Sequence, residues 1–259
     1  MPYSPASFLL LIFLTLYFSG CEKDSTPVGE SSGTGTLTVY LTDTPTIVSF
    51  DSVNITFSQV SAHLDSEWIT VQGDTMTVNL LDLNNGNTIT FGSADVPVGK
   101  YTQIRIKINS AYVVLDGQEH PLTVPSGAQT GLKLGPQFTV IEGSTYELVV
   151  DFDVSRSIVS SPQGYKLKPR LRVTPLAISG SIAGTVTNPD SLPTAFAIQN
   201  SDTLTTSFVN PVNGLFRLSF LTSGIYTVSI RDTVNKSATI DSVVVVSGLE
   251  KNLGNIELQ

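Results

Sequence analysis

From Thr36 onward in this 259-residue chain, the apolar side chains recur with a period of two in one run after another. That period belongs to a pleated strand, whose successive side chains point to opposite faces, and not to a helix. "TLTVYLTD" puts Leu37, Val39 and Leu41 on one face, and "SVNITFSQVSAHL" does the same with Val53, Ile55 and Phe57. "YTQIRIKI" aligns Ile104, Ile106 and Ile108 opposite Arg105 and Lys107. "TYELVVDFDV" is predicted to turn Tyr146, Leu148, Val150, Phe152 and Val154 inward, leaving Glu147, Asp151 and Asp153 outward. Turn signals separate these runs: "DTPT", "NNGN", "VPVGK", "LDGQ", "IEGS" and "SPQG". No segment carries an amphipathic helix of about 12 residues or more. Short strands at regular spacing predict an antiparallel sandwich or barrel.

The strand series restarts between Thr174 and Ser181 and closes with "DSVVVVSGLEKNLGNIEL". The chain is long enough for two cores. The expected architecture is all-β: two consecutive antiparallel β-sandwich domains, residues 36–176 and 177–259, after a signal peptide and a flexible tether.

Those first segments read differently. "FLLLIFLTLYF", Phe8 to Phe18, is apolar throughout but short of the roughly 20 residues a membrane span needs. It fits the apolar region of a signal peptide covering residues 1–20. Ser19 and Gly20 follow, then Cys21, the only cysteine of the chain. This arrangement resembles the lipobox of bacterial lipoproteins, with Phe18 where Leu is usual and no Lys or Arg in "MPYSPAS". The resemblance implies cleavage before Cys21 and acylation of its thiol, and two or more acyl chains hold a membrane stably. Residues 21–35, rich in Ser, Gly and Thr, are predicted to be the tether. Glu22 stands after the cysteine where inner-membrane retention would use Asp, and the charged "EKD" resembles export signals of surface lipoproteins, so the expected location is the outer membrane, periplasm-facing or at the cell surface.

Both β segments carry family resemblances. "TVYLTDTP", "VPVGKYTQIRIKI", "LTVPSGAQTGLKL", "VVDFDVSRSI" and "YKLKPRLRV", in that order, resemble the DUF4382 family of bacterial lipoprotein domains. It implies an all-β fold outside the cytoplasm and no established activity. "GTVTN", "NGLFRLSFLTSGIYTVSI" and "VVVVSGLEKNLGNIEL" resemble carboxypeptidase regulatory-like (transthyretin-like) sandwiches. There Gly214 would supply the turn, and Phe216, Leu218 and Tyr226 would fill the core.

Composition narrows the function. Charged residues are 14% of the chain, against 41% hydrophobic, so low charge here does not signal disorder. A net charge of −8 with no basic block gives no electrostatic footprint for nucleic acid. One cysteine and two histidines, His63 and His120, leave little for a zinc or redox site. Neither histidine adjoins a G-x-S-x-G elbow. Asp151 and Asp153, joined by Asp43 and Asp51 if the fold converges them, are the candidate carboxylate cluster for calcium. Their bland reading is turn capping or pairing with Arg156 or Lys168. "VPSGAQTGLKLG" lacks phosphate-loop spacing and reads as a structural loop, with Ser126 and Thr130 as surface contacts. Trp68 would stack on a sugar if exposed, or sit partly in a core. Lys166, Lys168, Arg170 and Arg172 share one strand face, to meet an anionic partner, pair with acids or protect a sheet edge.

The expectation is a non-enzymatic, lipid-anchored binding or scaffolding protein, needing no cofactor, held to the membrane and engaging an unknown protein or glycan. Three alternatives stay open: adhesion by strand addition, a metal-dependent glycan-binding module, and an enzyme using the carboxylates.

Overall fold

The computed structural model describes residues 33–44 and 50–259. The leader, Cys21 and the tether up to residue 32 lie outside the described residues. The first thirteen strands are β1 (Thr34–Asp43), β2 (Ser52–Leu64), β3 (Glu67–Gln72), β4 (Met76–Asn79), β5 (Ile89–Pro97), β6 (Gly99–Leu115) and β7 (Gln118–Thr123). They continue as β8 (Leu132–Leu134), β9 (Phe138–Val140), β10 (Thr145–Phe152), β11 (Ile158–Ser161), β12 (Gly164–Leu167) and β13 (Leu171–Pro175). One sheet runs β13-β10-β1-β5 and faces a larger one, β11-β12-β7-β6-β2-β3, to which β4, β8 and β9 add.

The period-two residues make the core between them. Leu37, Val39, Leu41, Val53, Ile55, Ile106 and Ile108 are fully buried. Phe57 meets Phe91 edge-on at 4.7 Å and Phe152 at 6.4 Å, the geometry that the ring quadrupole favours. Tyr101, Phe138 and Tyr146 form a stack alongside.

Seven strands follow: β14 (Ser179–Val186), β15 (Thr194–Gln199), β16 (Asp202–Phe208), β17 (Leu215–Thr222), β18 (Gly224–Arg231), β19 (Ser237–Val245) and β20 (Glu250–Ile256). They form sheets β17-β14-β20 and β16-β15-β18-β19 around a second, separate core. Phe216, Leu218 and Tyr226 are buried there. Gly214 makes the turn at φ +71°, where any Cβ would stand 2.0 Å from the Val186 carbonyl oxygen. Only glycine fits that place. Each sandwich has one buried tyrosine whose hydroxyl donates to the carbonyl four residues back, Tyr101 to Pro97 and Tyr226 to Thr222, both at 2.8 Å.

The all-β class is therefore as the alternation predicts, and mostly antiparallel. Three pairings are parallel: β1 with β10, β7 with β12 and β14 with β20. In each, the chain has crossed other strands before it returns, so no short hairpin joins the pair.

Three local features differ from expectation. Strand β1 begins at Thr34, two residues inside the stretch read as tether, and a Cβ on Gly35 would lie 2.6 Å from the Ile141 carbonyl. "SGAQT" is a short helix, α1 (Ser126–Thr130), with Ala128 buried beneath it. Asp151 and Asp153 are buried and not outward. Alternation tells which side of β10 Asp151 occupies, and that side is covered by a further layer, described below; Asp153 lies just past β10, where it caps the next turn. Among the described residues no helix is long and apolar enough to cross a membrane.

Phe57→Ala removes the centre of the aromatic cluster and should cost about 3–5 kcal/mol of stability. Urea unfolding reads it as a lower midpoint at an unchanged slope.

Candidate functional site

The sequence "VVDFDVSR" ends β10 and turns at once into one helical turn, α2 (Val154–Ser157). Asp153 caps that turn: its Oδ1 accepts from Arg156 N at 3.0 Å and from Ser155 Oγ at 2.6 Å. The Arg156 side chain folds back on the same carboxylate. Segment 168–170 lies against the turn, with Lys168 N donating to Ser157 O and Arg170 N to Ser157 Oγ. This delivers Arg170 and Arg172 to the same place.

Asp151 is buried beside them. Its Oδ1 accepts from Thr44 Oγ1 at 2.8 Å, and its Oδ2 accepts from Arg172 at 2.9 Å. Asp43 approaches from β1, where Oδ1 accepts from Val154 N at 3.1 Å. Its Oδ2 is buried and has no hydrogen-bond partner among the described residues. Burial pushes the Asp43 carboxyl well above its ordinary range, and the nearby Asp151 and Asp153 charges push the same way. Asp151 is also raised, because desolvation outweighs the opposing pull of Arg172 and the hydrogen bond from Thr44.

The layer that covers these groups is the second sandwich. Arg172 donates to the Phe220 carbonyl at 2.9 Å and Arg156 to the Thr203 carbonyl at 3.2 Å. Asn85 Oδ1 accepts from Phe208 N at 2.9 Å and Ser207 Oγ at 3.2 Å. Gly86, at φ +83°, sits so close that a Cβ would be 2.5 Å from Ser219 Oγ. Beside these contacts opens a cleft of about 690 Å³, lined by Asp153, Arg156, Arg170 and Arg172 on one side and Asp202 and Thr203 on the other.

Three of the four nominated carboxylates thus gather, and Asp51 does not. Asp51 is exposed and accepts from Gly117 N at the β6–β7 turn. The gathered oxygens are nearly all engaged by donors within the protein, whereas calcium takes six to eight oxygens. Among the described residues no group of three or more His, Cys, Asp or Glu is arranged to hold a metal ion.

The remaining candidates scatter. His63 bonds Thr102 and lies against Trp68, while His120 meets the edge of Tyr165. Ser126 and Thr130 are exposed on α1. The four cations in "YKLKPRLRV" do not share one strand face, because the chain leaves β12 after Leu167 and enters β13, in the other sheet, at Leu171; Arg172 is paired with Asp151, whereas Lys166, Lys168 and Arg170 are exposed. The docking roles of Asn85, Gly86 and Arg156 escape sequence reasoning; "NNGN" signals a turn and nothing about what the turn touches.

Residues 34–169, just over half of the chain, match the family described as "Domain of unknown function (DUF4382)". No curated protein matches the sequence. Among solved structures, the Bacillus anthracis TIE protein aligns at 12% identity over 88% of this chain and 51% of its own, with a TM-score of 0.24. This chain therefore spans about half the length of that protein. BcpA, the major pilin subunit of Bacillus cereus, aligns at 11% identity, covering 87% and 70%, with a TM-score of 0.21. A fimbrial protein from Bacteroides ovatus aligns at 10% identity, covering 88% and 50%, with a TM-score of 0.23.

Arg172→Ala should destabilise the protein by on the order of 3 kcal/mol, because it leaves Asp151 buried and unpaired. The double change Asp151→Leu with Arg172→Met should recover part of that loss, read in a double-mutant cycle of urea midpoints. Asp43 also gives a pH signature. A carboxylate whose folded pKa is raised adds stability below its unfolded value of 3.8. That contribution is lost as pH rises through the folded value. Asp43→Asn should match the parent at pH 3.5 and exceed it increasingly at higher pH, measured as the difference between the two unfolding midpoints from about pH 3.5 to 8.

Proposed function

Because the chain belongs to the DUF4382 family, whose function is undefined, we propose a role from its own residues: a lipid-anchored envelope protein with a non-enzymatic binding or scaffolding task. Cys21 would be the acylated residue, after removal of residues 1–20, with the outer membrane as its location. Residues 36–176 and 177–259 would act as two domains, the second of the carboxypeptidase regulatory-like kind.

The observation that carries the scaffolding part is how the two cores are joined. The junction is made by Arg172, Arg156 and Asn85 bonding backbone groups of the second sandwich. Backbone contacts of this kind fix position and register. The buried carboxylates, which in an enzyme would be candidates for acid–base work, here lie beside that junction, with Asp151 bound to the arginine that makes it.

Strand addition is the second reading, and β19 favours it in part. It ends its sheet and runs nine residues without Lys or Pro, with Val244 half exposed. Yet Ser237 already exchanges both backbone hydrogen bonds with Gln259, and Ser242 is bulged at φ +58°. Natural edge strands use such devices to block pairing, so the scaffolding reading is preferred.

Cys21→Ser should move the protein from the membrane fraction to the soluble fraction and abolish metabolic labelling with palmitate. Unchanged fractionation and labelling would sink the anchor.

A further inference from the structure

The outer face of the larger sheet of the first sandwich holds an arginine fixed in place without a carboxylate. Arg105 on β6 stands opposite Ser61 on β2 and Lys133 on β8. Its stem crosses Gly131, where φ is +122° and a Cβ would come within 2.5 Å of the arginine Cγ. Its guanidinium carbon lies 4.2 Å from the centre of the Trp68 ring, and its Nε donates to Ser61 Oγ at 3.3 Å. Trp68 is steadied in turn by His63, 4.8 Å away, whose Nδ1 bonds Thr102 Oγ1 at 2.8 Å. Stem, plane and Nε are therefore all constrained, and the two terminal nitrogens have no partner among the described residues.

The surroundings make this unusual. Ion pairs among the described residues engage Arg156, Arg172 and Arg217, and none engages Arg105, Lys107 or Lys133. Lys133 Nζ is 5.8 Å from the same indole ring, and Lys107 lies two residues along β6 on the same face. Asp65, in the β2–β3 turn, and Glu67, at the start of β3, form no ion pair among the described residues. In a chain of net charge −8, three cations on one face stay without a carboxylate. A guanidinium held with its fork open matches the two oxygens of a planar carboxylate.

What else lies on this face decides the kind of ligand. Gln59, Thr70 and Gln103 surround the cations, and Gln59 Nε2 reaches Thr70 Oγ1 at 3.3 Å. The exposed large apolar residues lie elsewhere. A protein interface is expected to have an apolar centre; amides and hydroxyls instead suit a hydroxyl-rich chain. We propose that Arg105, locked by Trp68, Ser61 and Gly131 and flanked by Lys107 and Lys133, is the carboxylate subsite of a surface that binds acidic, uronate-type polysaccharide. The proposal gives a ligand class to the binding role above and does not depend on the anchor, which Cys21→Ser reads separately.

The test titrates the purified full chain in mild detergent with polygalacturonate, its fully methyl-esterified form, and poly-glutamate. Polygalacturonate should bind, and the ester, which has lost the carboxylate charge, should bind at least tenfold more weakly. Arg105→Lys keeps the charge but loses the fork and should weaken binding tenfold or more while the variant stays folded, as its cooperative urea transition reads. Lys133→Ala, an exposed change, should weaken it severalfold, and Lys236→Ala in the second sandwich should not. Absence of polygalacturonate binding overturns the proposal, as does equal binding by the ester or by Arg105→Lys. Binding of poly-glutamate as tight as polygalacturonate overturns the polysaccharide assignment.

Discussion

The guanidinium of Arg172 is the interaction on which the arrangement of this protein depends. It holds the buried Asp151 with one nitrogen and the Phe220 carbonyl with another, each at 2.9 Å. Removing water from a carboxylate is costly, and the bonds to both Asp151 oxygens, from Thr44 and Arg172, offset that cost, although Arg172 Nε is itself buried without a partner among the described residues. Asp151 can be covered by the second sandwich because Arg172 is there, and Arg172 is oriented toward that sandwich because Asp151 fixes its other side.

The second sandwich meets this arginine with an irregularity in its own sheet. Strand β17 pairs regularly with β14 from Leu215 to Leu218 and again from Leu221, and slips between them. Ser219 and Phe220 together stand opposite the single residue Ser181, with Phe220 at φ +56°. A bulge turns backbone groups away from the ladder. Here it gives the Phe220 carbonyl to Arg172 and sets Ser219 against Gly86. A non-glycine residue in the left-handed region carries strain, which persists where the surroundings over-determine it. The bulge, the arginine and the glycine are thus one device in three parts of the chain.

Much of the fold was legible because a half-buried strand prints its period directly. Leu37, Val39 and Leu41, or Ile104, Ile106 and Ile108, are inward because nothing else satisfies alternation with water on one side. The same logic failed at Asp151 and Asp153. Period two separates the faces of β10 but does not say that a second sandwich will cover the polar one, since that depends on residues some seventy positions later. Gly35 failed for a related reason. In a run of Ser, Gly and Thr it reads as flexible, and its need for a bare Cα appears only when Ile141 comes close. Of the nominated site, Asp43, Asp151 and Asp153 converge while Asp51 serves a turn, and sequence held no signal to part them.

Arg105 and Arg172 show where sequence reading ends. Both alternate with apolar residues on a strand, and both are written simply as a cation opposite a hydrophobic face. Arg172 lies one hydrogen-bonded strand away from a carboxylate, in register with it. Arg105 has Ser61 on one side and Lys133 on the other. Register alone makes one arginine structural and leaves the other with an open fork. A pair across a strand satisfies its own charge, whereas a cation set between a hydroxyl and a second cation gains only from something brought from outside. The indole beneath Arg105 strengthens that difference, since cation–π contact orders the guanidinium plane without occupying its hydrogen-bonding edge.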